Sequence, residues 1–284
     1  MKKLVLTGLI ASSLIFTGCF KDDDTPIIVE ETTIINNNNT GGGGEENPVV
    51  AVTGAITENT TWTNDNIYQL NQKVVVDNGA TLTIEAGTII KGSPGTGSLA
   101  SALIIARGSQ INAVGTPTQT IIFTSTSDNI EIGQTAGTNL DENDRGLWGG
   151  LLVLGNAPCS FSGDISEAQI EGIPADDEFG LYGGSDAGDN SGVIQYVSIR
   201  HGGTDIGAGN EINGLTLGGV GSGTTIHHIE VVANADDGVE FFGGNPNLKH
   251  VLVSNVGDDS FDYDQGFRGK GQFWVAIENA NSDR

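Results

Sequence analysis

Cysteine, basic residues and helical apolar stripes are all scarce in this chain, and each shortage removes a class of answer. There are two cysteines, Cys19 and Cys159, so at most one disulfide forms and residues 51–284 must be held by a core. Twelve Lys and Arg stand against 36 Asp and Glu, a formal charge of −24. Beyond residue 50 the imbalance persists, with 29 acids and 9 bases. Phosphate backbones are bound through lysine and arginine, so a nucleic-acid partner is excluded. The long apolar run, residues 4–18, is shorter than the roughly 20 residues a spanning helix needs. No window of a dozen residues sustains a helical stripe. The glycine-dense stretches "GLWGG" (146–150) and "GNEINGLTLGGVGSG" (209–223) lack a following Gly-Lys-Ser/Thr, which rules out a phosphate loop.

The ends and joints of the chain are legible. Lys2 and Lys3, the apolar run and then "FTGC" form an export signal over residues 1–18. "FTGC" resembles a bacterial lipobox, which implies that Cys19 becomes the acylated first residue of the mature chain, anchored in outer-membrane lipid. Phe16 stands where that pattern usually has leucine. "FKDDD" then resembles the surface-export signal of Bacteroidota lipoproteins, implying a body that faces the cell exterior. With Cys19 acylated, Cys159 has no intramolecular partner. Residues 19–50, with "INNNNTGGGGEEN", are too polar to bury a core and read as a disordered tether. No transmembrane helix is expected in the mature chain.

The body, residues 51–284, reads as all-β. Its apolar residues fall in short alternating runs, and glycine supplies 43 of 284 residues, about twice the usual ~7%. The pattern apolar-x-x-apolar-x-apolar recurs at "IQYVSI" (194–199), "IHHIEV" (226–231) and "LKHVLV" (248–253), and "QFWVAI" (272–277) keeps its last two positions. A second strand follows within each step: "GLTLGG", "GVEFFGG" and "SFDYDQG". Earlier, "VVVDNGATLTIEAGT" (74–88) is echoed by "LIIARGSQINAVGT" (103–116). Strands this short bury their faces by stacking, so the expected fold is a parallel β-helix. The irregular period resembles the right-handed class; a β-sandwich is the alternative. Stacking places Val197, Ile229, Val251 and Val275 in one inward column, and Ile199, Val231, Val253 and Ile277 in another. Tyr196, His228, His250 and Trp274 then form an outer ring ladder, a candidate glycan-binding surface because rings offer flat apolar contact. "FWVAIENANSDR" enters a further coil without a cap, so a longer protein is expected.

Paired carboxylates mark the corners. "NADDGVEFFGG" (234–244) and "VGDDSFDYDQG" (256–266) are offset by 22, placing Asp236 on Asp258, Asp237 on Asp259 and Glu240 on Asp262. Three readings stay open. Asn, Asp and Gly suit corners because they tolerate left-handed backbone and bond their own main chain. Calcium wants six to eight oxygens, and Asp236, Asp258, Asp262 and Asp264 offer some. The loop "PADDEFGLYGGSDAGDNSG" (174–192) offers Asp176, Asp177, Glu178, Asp186 and Asp189. Neither set matches an EF-hand loop. The third reading is catalytic. "NAD" (234–236) and "GDD" (257–259) resemble the two corner motifs of β-helix pectin-cleaving glycosidases. That resemblance implies Asp259 as acid, with Asp236 and Asp258 activating water, in a chemistry that needs two carboxyls of different ionisation. The family's next histidine-glycine corner is missing. His201, in "RHGG", reads as a corner histidine, and His228 with His250 lacks a third metal ligand.

The succession "GLWGG", "ADD…GLYGG", "IRHGG", "GNEINGLTLGGVGSGTT", "GDDSFDY…GFRGKGQFW" resembles a group of Bacteroidota surface lipoproteins across residues 50–280. Some members carry a multidrug-transporter label, which these residues do not support. The resemblance implies fold and location. The function expected is an adhesion module binding extracellular glycan or a surface protein. A polysaccharide-degrading enzyme and a calcium-stiffened structural protein are the alternatives.

Overall fold

A computed structural model describes residues 35–36, 48–173, 178–207 and 210–282. Among the described residues, helix is confined to two short 3-10 turns, Gly97–Leu99 and Glu178–Gly180. The remaining elements are strands, most of them in one seventeen-stranded sheet. That sheet winds into a parallel β-helix whose coils have three faces. Face 1 stacks residues 74–76, Ala102–Ile105, Leu151–Leu154, Leu215–Gly218, Val239–Phe242 and Phe261–Asp264. Face 2 stacks Thr60–Trp62, Thr81–Ile84, Gln110–Val114 and the first halves of four long strands. Those strands are Gly192–Arg200, Thr225–Val232, Asn247–Ser254 and Lys270–Ile277. Their second halves continue face 3, which begins with 49–52, 67–70, Ile89–Gly92 and Ile121–Ser125. Ile35–Asn36, within the stretch read as a tether, pairs antiparallel with Val49–Ile56. Cys19 lies outside the described residues.

One left-handed residue turns each long strand from face 2 to face 3. Tyr196, His228, His250 and Phe273 have φ of 49, 56, 56 and 62°, and parallel pairing skips each in turn. Inside, Ile194, Ile226 and Leu248 stack on face 2, and Val197, Ile229 and Val251 on face 3, each at most 2% exposed. Burying each such side chain is worth about 1.5–3 kcal/mol.

The last coil corrects the expected register by one residue. Val251 pairs with Trp274, whereas Val275 pairs with Leu252 and Ile277 with Ser254. Val275 and Ile277 are exposed, so neither joins the inward columns. The indole of Trp274 turns inward instead, stacked on Phe261 at 4.6 Å and Phe241 at 5.6 Å. Its Nε1–H donates to Leu248 O at 3.2 Å. An indole buries more apolar area than a valine and still satisfies its one donor, which favours this register. The fourth rung of the outer ladder is therefore Phe273, stacked on His250 at 4.8 Å.

Two long insertions decorate the coils. Residues 126–150 carry Trp148, fully buried with its Nε1–H on Arg200 O at 2.7 Å. Residues 155–191 lie over the outer side of face 1. There Ile170, Ile173 and Tyr182 pack on Val75, Ile104, Leu152 and Phe242 as a second apolar layer. Cys159 is a free thiol beside this layer.

Candidate functional site

The corner from face 3 to face 1 gathers carboxylates from successive coils. Val239 pairs with Phe261 and Glu240 with Asp262, so the 22-residue offset becomes a vertical stack. Asp236, Asp237 and Asp258 each place an oxygen within 4.8 Å of the others, and Asp237, Glu240 and Asp262 do the same. Asp237 belongs to both groups and is buried, as is Glu240. Glu171 reaches in from the covering insertion, and Asn213 Nδ2–H donates to Glu171 Oε1 at 3.1 Å and to Glu240 Oε2. Asn213 is 1% exposed, and among the described residues its Oδ1 has no hydrogen-bond partner.

Burial and mutual repulsion decide the ionisation here. Asp236 is pushed up to about 6, first by burial and then by Glu211, Glu171 and Asp258. Asp237 is pushed up to about 8 by burial and by Asp236, against the Asp259 N–H that its Oδ1 accepts at 2.9 Å. Glu240 rises to about 10 through burial and the neighbouring Glu171. Burial also lifts Glu211 and Asp259. No lysine or arginine contributes to the shifts of these five carboxyls. The site holds hard oxygen donors without a cationic side chain to balance them, the donor set suited to calcium.

Other expected residues fall elsewhere. Asp259 is exposed and lies outside both three-carboxylate groups. Asp264 sits at the far end of its strand and accepts from Gln265 N and Nε2. Asp189 is a buried clamp, accepting from Asn156 N, Ser191 Oγ and Gly221 N. Asp186 closes its own turn on Gly188 N. Asp176 and Asp177 lie outside the described residues, as does the side chain of Glu178. His201 is a buried corner residue whose Nδ1 meets Asp144 O at 2.7 Å.

Tyr196, His228 and His250 do form a column, with centroids 4.3 and 4.5 Å apart. The interplanar angles are near 20°, so these rings cover one another's faces and turn their edges outward. Flat stacking of sugars is thereby blocked on the faces these rings share, while Phe273 is 60% exposed. Trp274 faces the core. Glu171, Asn213 and Glu240 were missed as site residues. Asn213 was within reach, because aligning "GLTLGG" with "GVEFFGG" sets it on Asp237. Glu171 arrives from an insertion with no repeat to align.

The comparison with known families decides the lineage. A family model described as a pectate-lyase like beta helix domain matches residues 54–284. The chain belongs to the pectate-lyase-like β-helix family. Neither a curated protein nor a solved structure matches it. Family membership gives this pectate-lyase-like β-helix a glycan-related role at the coarse level, consistent with a carboxylate-rich corner.

Proposed function

We propose that this pectate-lyase-like β-helix is a surface lipoprotein, anchored in the outer membrane through acylated Cys19. In this reading it holds uronate-bearing extracellular polysaccharide at the acidic corner through a calcium ion. The observation that carries the reading is the pair of three-carboxylate groups sharing Asp237. Asp236, Asp237 and Asp258 would hold the ion, which would supply positive charge to sugar carboxylates. Asp262, Glu240 and Asn213 would keep Asp237 in place. The test is retention of the full chain on immobilised polygalacturonate with calcium or with EDTA. Retention with calcium is expected to exceed that in EDTA, and this excess should be lost in Asp237→Asn. Equal retention in both buffers rejects the reading.

A second reading is polysaccharide cleavage at the same corner. Its support is the spread of ionisation: Asp236, raised to about 6, holds its proton in mildly acidic conditions within 4.8 Å of the exposed Asp258. That spacing is shorter than the roughly 6.5–9.5 Å of inverting pairs and nearer the ~5–5.5 Å of retaining ones. Chain shortening that disappears in both Asp236→Asn and Asp258→Asn would establish it. No shortening of any polysaccharide in a neutral and acidic panel would leave binding alone.

A further inference from the structure

Face 2 is the one face of the solenoid that does not touch the acidic corner, and its charge is opposite in character. Thr60–Trp62, Thr81–Ile84, Gln110–Val114 and residues 192–195, 225–227, 247–249 and 270–272 contain no Asp or Glu. Face 1 carries Glu240, Asp262 and Asp264, and face 3 carries Glu230. Face 2 thus carries lysines without a carboxylate on its strands. Register turns its polar residues into columns. Gln195, His227, Lys249 and Gln272 form one, and Val193, Thr225, Asn247 and Lys270 the next. Lys249 and Lys270 are exposed, and neither forms an ion pair among the described residues. Beside them runs the ring ladder, edge outward, with His227 Nδ1 2.8 Å from His228 Nδ1. Arg268, in the corner before Lys270–Ile277, is turned away, donating Nη2–H to Pro158 O at 3.1 Å.

We infer that face 2, through Lys249 and Lys270 on its last two described coils, is a docking surface for an anionic polysaccharide, engaged without a metal ion. This rests on the polysaccharide reading above and adds a second surface to it. The chemistry follows from what the columns offer. Ammonium groups, imidazole edges and side-chain amides donate hydrogen bonds, and no carboxylate is there to repel an anion. The columns run along the solenoid axis, one coil every ~4.8 Å, so an extended polymer meets repeated donors. Val114 and Phe273, exposed at the edge of this face, make a lipid surface the competing occupant, which the vesicles test. Self-association through the acidic corner of a second copy is the remaining occupant.

The experiment uses the full chain in EDTA, which silences any calcium-held contact at the acidic corner. Retention is measured on dextran sulfate, polygalacturonate and neutral dextran, with phosphatidylglycerol vesicles alongside. Retention on both anionic polymers, absent on dextran and falling with salt, is expected. Lys249→Glu/Lys270→Glu should weaken it about tenfold, while Lys249→Arg/Lys270→Arg keeps it. The calcium-dependent gain on polygalacturonate should survive in the Glu variant, so loss of one surface is told from loss of the other. Retention unchanged by the Glu pair, or equal on dextran, overturns the proposal. Binding to the vesicles alone overturns it for lipid. A dimer that the Glu pair dissociates, with no polymer retention, overturns it for self-association.

Discussion

The acidic corner and face 2 are built from the same repeat, yet they spend their polar residues in opposite ways. At the corner, Asp236, Asp237, Glu240, Asp258 and Asp262 stack carboxyl on carboxyl, and the burial of Asp237 and Glu240 makes that stacking costly. On face 2 the stacked residues are threonines, amides and unpaired lysines in open solvent. Stacking in a solenoid amplifies whatever side chain a position holds, because each coil repeats it within ~4.8 Å. A neutral column is tolerated anywhere. A carboxylate column survives only where protons or a cation neutralise it, so its retention at one corner argues for use.

The largest expected effect tests whether the corner takes a cation. Calcium at about a hundred times its dissociation constant should stabilise the chain by about 2.7 kcal/mol, roughly 5–10 °C in melting temperature for a domain this size. Asp237→Asn should remove that gain, because Asp237 serves both carboxylate groups. Lys249→Glu/Lys270→Glu should leave it intact. A calcium gain that survives Asp237→Asn breaks the contrast between the two regions.

Acidity gives the next test, without calcium. Asp236 and Asp237 are raised in the folded chain, to about 6 and about 8, from 3.8. The folded state thus binds more protons than the unfolded one between those values. Stability from these groups is full below about pH 4 and is lost as pH rises through 6 and 8. Denaturation midpoints measured in EDTA should fall across that window, and Asp237→Asn should flatten the upper part. Calcium should restore stability above pH 7, since it replaces the protons.

Trp274 tests the register that separates core from surface. Trp274→Ala should cost about 3 kcal/mol in urea unfolding, whereas Val275→Ala should stay within about 0.5 kcal/mol. Equal costs would mean that Val275, not Trp274, faces the core.

The parts read correctly from sequence share one property: they repeat. "VVVDNGATLTI" and "LIIARGSQINA" pair as expected, Val74 on Leu103 and Thr81 on Gln110. "GVEFF" and "SFDYD" pair at the offset that the aspartates announced. Pairing was legible because a stacked fold forces similar residues into similar positions. Failure began where the repeat loosened. "QFWVAI" accommodates two registers one residue apart, and the choice turns on packing an indole against Phe241 and Phe261 from other coils. Glu171 could not be found from any pattern, since an insertion brings it across the face it covers. The ladder was located at three of four rungs, but its ring faces are used by the neighbouring rings, which only coordinates reveal.

That ladder supplies the smallest and most local test of the surface. His250 sits at φ 56°, a conformation costing a non-glycine residue roughly 1 kcal/mol, and stacks on His228 and Phe273. Each stacked pair returns about 0.5–1.5 kcal/mol. His250→Ala keeps the backbone penalty and loses both stacks, so unfolding free energy should fall by about 1–2 kcal/mol. His250→Gly loses the same stacks but is relieved of the penalty, and should lie within about 0.5 kcal/mol of the parent chain. Neither change reaches Asp237, so the calcium response should be untouched in both. If alanine and glycine behave alike, the corner tolerates a side chain freely, and stacking alone explains the ladder. If glycine is the better of the two, the rings hold a strained corner in place, and their outward edges are a consequence of that geometry.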